Sequence, residues 1–494
     1  IVLWRMDRKG GKKNRKTGQE DRPAFPWPMM IFAGAMSLFL VLVIRGSATN
    51  DALQLDEIMQ AFSSGDYGAL GEGGYLFVYP FQITYVLIGQ LIAALCGPSN
   101  FLVYQLLNVV SILCNLYFLY RIAWELFRSR RVCAVMQILS MGCWFYYVFA
   151  TFVYADLWSF AVQTAALFLE ICYLNRRRIG YEVGAGICIA AATLLKTNCY
   201  VALIAMILIL LMDAVRSDDS SGASGRAVSD DGRENLCQSN AAKIPGAWKI
   251  RHRLLRAALL AAMLVAMTRG VQSAVNAAAA RAAGLEKMPS GVPAAAYFAM
   301  GMQEAEGKYG WYNGTNVGLF REAGYDPEET VRAAKRSMEE SIGEFRNSKR
   351  YFIRFYAGKF FSQWGDPTCV SMRELEETRR HTGELPAPVS SLIFGKGSRV
   401  LQWGMNVTHS LIYLGLFIYA VSMWRRRRKA GHWTVSDAET LIVLFIVGGM
   451  LFHQIWEASG RYTMRYYLTM LPLSAWGICR LLEKLKARVW HTRQ

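Results

Sequence analysis

The chain has 494 residues, of which 53% are hydrophobic and only 19% charged, and it carries a formal net charge of +18. A soluble protein of this length is excluded, because the apolar residues gather in runs long enough to cross a bilayer. The Lys and Arg excess is not a nucleic-acid surface either. It sits in short clusters at 8–16, 128–131, 176–178, 249–256, 425–429 and 484–493, between apolar runs, which is the positive-inside pattern of membrane topology.

The expected fold is therefore an all-α polytopic membrane protein with about ten transmembrane helices and interfacial helices in the first external loop. Residues 1–28 form a basic arm, expected in the cytoplasm, followed by a retained first span at 29–44. An acidic loop at 45–82 emerges on the far side. The apolar stretch 83–96 ends in Gly97-Pro98 and is short for a crossing, so it reads as an interfacial or re-entrant helix. Spans follow at 101–127, 132–154, 157–174, 183–195 and 200–212, and each return ends on a basic cluster.

A polar Ser/Asp/Gly/Arg insert, 213–253, is expected on the cytoplasmic side. The N-terminal transmembrane core, 29–282, closes with an alanine-rich span at 254–282 that carries Arg269. Residues 283–395 are the one large hydrophilic region, expected outside. Within it 351–364 is amphipathic and aromatic, with Arg354 and Lys359 expected to snorkel to the interface. Spans at 401–424, 441–455 and 464–482 and a basic tail complete the C-terminal part, 396–494, and leave both termini cytoplasmic. The ten cysteines contain no CxxC pair and read as small core residues.

On this topology polar residues collect at one face: Asp51, Asp56, Glu57 and Asp66 in the first loop, then Asp156, Lys196, His453, Glu457, Arg461 and Tyr462. Carboxylates and cations gathered at one membrane face suit a base, a phosphate clamp or an ion site. Structural roles compete for each. Asp56-Glu57 could be an acid pair at a helix N-terminus, Asp66 a turn cap and Asp156 an N-cap. Lys196 could be an interfacial anchor, Glu457 and Arg461 could pair with each other, and His453 reads as a packing residue.

The stretch DALQLDEIMQAFSSGDYGALGEGGYLFVYP, with FVYADLWSF, LLKTN, FYAGKFFSQWGD and WEASGRY following in order, resembles GT-C-type membrane glycosyltransferases. The nearer likeness is to family-39-like bacterial members, related to protein O-mannosyltransferases and aminoarabinose transferases. The resemblance implies inverting transfer of a sugar from a polyprenyl-phosphate donor to a lipid, glycan or protein acceptor at the outer face, with membrane lipids around it. Asp56 would be the base, with Glu57 and Asp156 beside it. Lys196, Arg461 and Arg269 would meet the donor phosphate, while Tyr79, Asp66, Glu457 and Tyr462 would seat the substrates. No cofactor is required by this chemistry, although the carboxylates would suit a divalent cation. A bacterial plasma-membrane location is expected. The rival class is a transporter or flippase, which would show paired repeats and midplane polar residues; a third is a non-catalytic scaffold binding a partner through 283–395.

Overall fold

The computed structural model describes residues 23–216, 246–379, 385–430 and 435–491. Most of the basic arm 1–28 and of the insert 213–253 lies outside them. The chain is almost entirely helical, with one two-stranded hairpin, β1 (Glu304–Ala305) and β2 (Lys308–Tyr309). The expected all-α polytopic membrane architecture is what the described residues adopt. Among the described residues seven helices are long and apolar enough to cross a bilayer, and up to nine if each of two bent pairs counts as one span.

The bundle begins with α1 (Trp27–Ile44). Short helices α2 (Asp51–Ser63) and α3 (Tyr75–Val78) then lead into α4 (Ile83–Cys96) and α5 (Phe101–Phe127). Where one outgoing span was expected at 132–154, the chain forms α6 (Arg130–Met141) and α7 (Trp144–Val148), bent by 58°. The break falls at Gly142, where an added Cβ would meet Thr408 Oγ1 at 2.4 Å, so the kink lets another helix approach.

The central span is α8 (Asp156–Arg176), 89% of whose apolar window is buried. It packs on α5 and on α9 (Ile179–Leu195), which in turn meets α11 (Gly246–Ala282). Helix α10 (Tyr200–Arg216) bridges α11 and the late span α19 (Asp437–Ile455). At 17 residues α9 is short for a crossing. The C-terminal segment expected as one span at 464–482 is divided into α20 (Gly460–Thr469) and α21 (Leu471–His491). Pro472 sits in the first turn of α21, where its missing N–H costs nothing.

Between α11 and the late spans lie α12 (Ala294–Gly301), the hairpin, α13 (Thr315–Glu322), α14 (Pro327–Asn347), α15 (Lys349–Trp364), α16 (Ser371–Arg379) and α17 (Ala387–Ile393). Local sequence sets their ends. Asp326 caps α14 by accepting from the backbone N–H groups of Glu328 and Glu329 at 2.7 and 2.9 Å, with Pro327 at the first helical position. Ser436 and Glu439 form a capping box on α19. Helix α18 (Ser398–Ala430) lies so close to α21 that a Cβ on Gly477 would stand 1.9 Å from the Gly415 carbonyl oxygen. Glycine there permits backbone contact, as small residues do in membrane helix pairs.

At one end of the bundle the buried Glu125 carboxylate takes Arg176 at 2.7 Å and Arg128 at 2.6 Å, tying α5 to α8. The other end of α8, at Asp156, carries a different arrangement.

Candidate functional site

Three loops bring side chains to the Asp156 end: the first loop after α1, the α9–α10 turn, and the α19–α20 turn. Asp156 opens α8 and its side chain is only 3% exposed. Lys196, in extended conformation just past α9, places Nζ 3.3 Å from Asp156 and 4.2 Å over the Tyr154 ring. Arg461, at the start of α20, packs its guanidinium over Phe152, Tyr154 and Tyr462 at 5.2–5.6 Å. One turn further along α20 stands Arg465. It is fully buried and donates to Gln163 Oε1 at 2.9 Å, to Ser159 Oγ at 3.2 Å and to Cys199 Sγ at 3.0 Å.

Lys196, Arg461 and Arg465 all act electrostatically on the single carboxylate of Asp156. Arg461 reaches a second carboxylate, Glu374 of α16, but only at 3.9 Å, and its Nε has no hydrogen-bond partner among the described residues. Three cations thus gather around Asp156, with the Glu374 and Glu457 carboxylates at the edge of the group, an arrangement whose N–H donors could receive an anion.

Glu457 lies in the turn that precedes Arg461. Its Oε1 accepts from the Tyr462 hydroxyl at 3.2 Å. The expected Glu457–Arg461 ion pair is not formed; Arg461 turns instead toward Glu374. Burial pushes the Glu457 carboxyl up to about 7, against the lowering pull of Arg461, the Tyr462 hydrogen bond and Lys196. His453 is fully buried, stacked on Tyr462 at 5.9 Å, with Nδ1 3.3 Å from the Glu457 carbonyl. That matches its reading as a packing residue.

The first loop divides its acids. Asp51 opens α2 and is exposed. Its carboxylate is among the charges that raise Glu457 and the Tyr297 phenol, and it also acts on Tyr75, Tyr79 and Tyr154. It therefore lies within electrostatic reach of Glu457 and Tyr154, which border the cation cluster. Asp56 is five residues on, about 140° around the helix at 3.6 residues per turn, and looks elsewhere. It is 7% exposed and accepts from Ser99 Oγ at 2.7 Å and Gln60 Nε2 at 3.0 Å. It lines a cavity of about 240 Å³ with Met59, Tyr104 and the Gly97–Ser99 turn. Tilted aromatic rings stand between the two regions: Tyr85 is 6.0 Å from Tyr104 on one side and 5.5 Å from Tyr154 on the other.

The other expected site residues scatter. Glu57 is exposed on α2. Asp66 accepts from the Gly68 N–H at 2.8 Å beside Gly65, whose φ is +83°, and so shapes a turn. Tyr79 stands at the 103° bend between α3 and α4, with its hydroxyl 3.5 Å from that of Tyr312. It thus joins the first loop to the hydrophilic region. Arg269 is exposed partway along α11, away from the cluster. Arg354 stays at the surface over Tyr351, but Lys359 does not snorkel. It is fully buried and donates to the Gly301 carbonyl, because the bend at Gly310 leaves just enough room for its amine.

Two contributors carried little sequence signal. Asp51 looked like one more loop acid, and Arg465 looked like a span residue. The i, i+4 spacing of Arg461 and Arg465 was the available clue, since it puts both cations on one helix face. Among the described residues no group of three or more His, Cys, Asp or Glu side chains is arranged to hold a metal ion.

No family model matches the chain, and no curated protein matches it. Among solved structures, the Archaeoglobus fulgidus oligosaccharyltransferase, crystallised with zinc and sulfate, aligns over 93% of this chain with 15% identity and a TM-score of 0.45. The chain spans half the length of that protein, covering 50% of it. A similarity of that size says nothing about activity.

Proposed function

We propose that the protein is a membrane-embedded glycosyltransferase of GT-C type, moving a sugar from a polyprenyl-phosphate donor to a hydroxyl acceptor at the outer face with inversion. The observation that carries this reading is the convergence of Lys196, Arg461 and Arg465 on one carboxylate at one end of the bundle. Three cations gathered at one place suit a lipid phosphate entering from the bilayer. They would stabilise the negative charge that the phosphate gains as its bond to the sugar breaks.

The base in this reading is Asp51 rather than Asp56. The carboxylate of Asp51 takes the acceptor proton while the acceptor oxygen bonds to the anomeric carbon, and the polyprenyl phosphate departs with the electron pair. Asp51 is exposed and free of hydrogen bonds and ion pairs among the described residues, and its charge acts on Glu457 and Tyr154 beside the cations. Asp56 is engaged by two donors on the far side of the aromatic rings. Tyr75 and Tyr79, whose rings are 5.1 Å apart, together with Tyr297 and Tyr312 would seat the sugar and the acceptor. A panel of purified polyprenyl-phosphate sugars tests the proposal: sugar release with any donor supports it, and release with none rejects it.

A further inference from the structure

At the opposite end of α8, about 30 Å from Asp156 at 1.5 Å per residue, the ends of α8, α10 and α11 enclose a cavity of about 270 Å³. Its walls divide by chemistry. Tyr173, Arg177, Asp213, Arg253 and Arg256 give a polar rim with three cations to one carboxylate, while Leu210, Ala257 and Leu260 are apolar. Arg177 is already held by Asp213 through two short hydrogen bonds of 2.5 and 2.6 Å. Arg256 is different. Its guanidinium lies 5.8 Å from the Tyr173 ring and has no carboxylate partner among the described residues.

The surfaces beside the cavity are apolar and exposed: Leu208, Leu211 and Val215 on α10, Leu255 and Leu259 on α11. A ligand here meets cations at its head and hydrocarbon below. We propose that this cavity binds the phosphate of an anionic phospholipid from the leaflet opposite the Asp156 cluster, with Arg256 as the principal phosphate contact, the Tyr173 hydroxyl as a second donor, and the acyl chains along α10 and α11. A soluble phosphate would share the head chemistry but not the apolar faces, and the exposed leucines favour the lipid. Basic pockets between membrane helices are suited to such headgroups, at about 1 kcal/mol for each Arg or Lys near the surface.

The test uses the full chain, delipidated in neutral detergent. Retention of phosphatidylglycerol is read by native mass spectrometry and the thermal midpoint is read in parallel. Phosphatidylglycerol micelles should raise the midpoint and leave one lipid bound, whereas phosphatidylcholine should do neither. Arg256→Gln should weaken retention about fivefold, the equivalent of one basic contact, without changing the lipid-free midpoint. Arg251→Gln, on the same helix outside the cavity, should leave retention intact. Equal retention by Arg256→Gln, or protection by inorganic phosphate equal to that by the lipid, would overturn the assignment.

Discussion

The Lys196 amine lies 3.3 Å from the Asp156 carboxylate and 4.2 Å above the Tyr154 ring, so one cation is shared between an ion pair and an aromatic face at a helix junction. Removing the Asp156 carboxylate strands Lys196 in a nearly buried site, whereas removing Lys196 leaves Asp156 under the influence of Arg461 and Arg465. Asp156→Leu should destabilise the protein by about 3–5 kcal/mol, and Lys196→Met by less. The double substitution should cost clearly less than the sum. A double-mutant cycle in detergent reads the coupling, and simple additivity would show that the pair is independent.

Arg461 should act on turnover more than on stability. Its Nε is unpartnered and its carboxylate contact is long, so little native structure depends on it. Arg461→Gln should lower kcat by about 10²–10³-fold, the scale for losing one donor to a developing anion, with a small shift in thermal midpoint. Arg465→Gln should lower turnover and stability together, since its three buried partners would also be left unsatisfied.

Two buried groups outside the spans give opposite pH dependences. The Glu457 carboxyl is pushed up to about 7 by burial. Between its usual range and pH 7 the folded protein therefore holds a proton that the unfolded chain has lost, and stability falls as pH rises through that window. The Lys359 amine is pushed down to about 7 by burial, against the raising influence of Glu457. Above pH 7 the unfolded chain holds the extra proton, so stability rises toward the usual lysine range. Relative to wild type, Glu457→Gln should remove a fall in stability between the usual carboxyl range and pH 7, and Lys359→Met a rise above pH 7. A wild-type-minus-variant profile with the opposite slope in either window would contradict that assignment.

Asp66 is expected to matter only to folding. Asp66→Ala removes one turn hydrogen bond to Gly68 and should cost about 1 kcal/mol, with turnover unchanged. Loss of turnover at full stability would return Asp66 to the site.

The membrane class was readable because long apolar runs alternate with basic clusters, and that pattern survives in the observed helices. The breaks were less readable. The 130–151 segment looks continuously apolar, and only the tertiary contact of Gly142 with Thr408 shows why it bends there. Lys359 was read as an interfacial cation because its neighbours are aromatic, yet a fitted niche at Gly301 and Gly310 buries it. In the first loop the acidic motif contains both candidate bases, Asp51 and Asp56. Which acid lies toward the cations depends on where α2 starts: beginning the helix at Asp51 turns Asp56 toward Ser99 and leaves Asp51 in the open space. Local sequence does not specify that rotation.

The most direct measurement is sugar release from polyprenyl-phosphate donors by wild type, Asp51→Asn and Asp56→Asn, each checked for its thermal midpoint. A general base contributes about 10²–10⁴-fold, so Asp51→Asn should lose that much turnover while remaining folded. Asp56→Asn should keep most turnover and lose some stability. Full activity in Asp51→Asn together with a folded but inactive Asp56→Asn would contradict the assignment and place the chemistry in the Ser99 cavity.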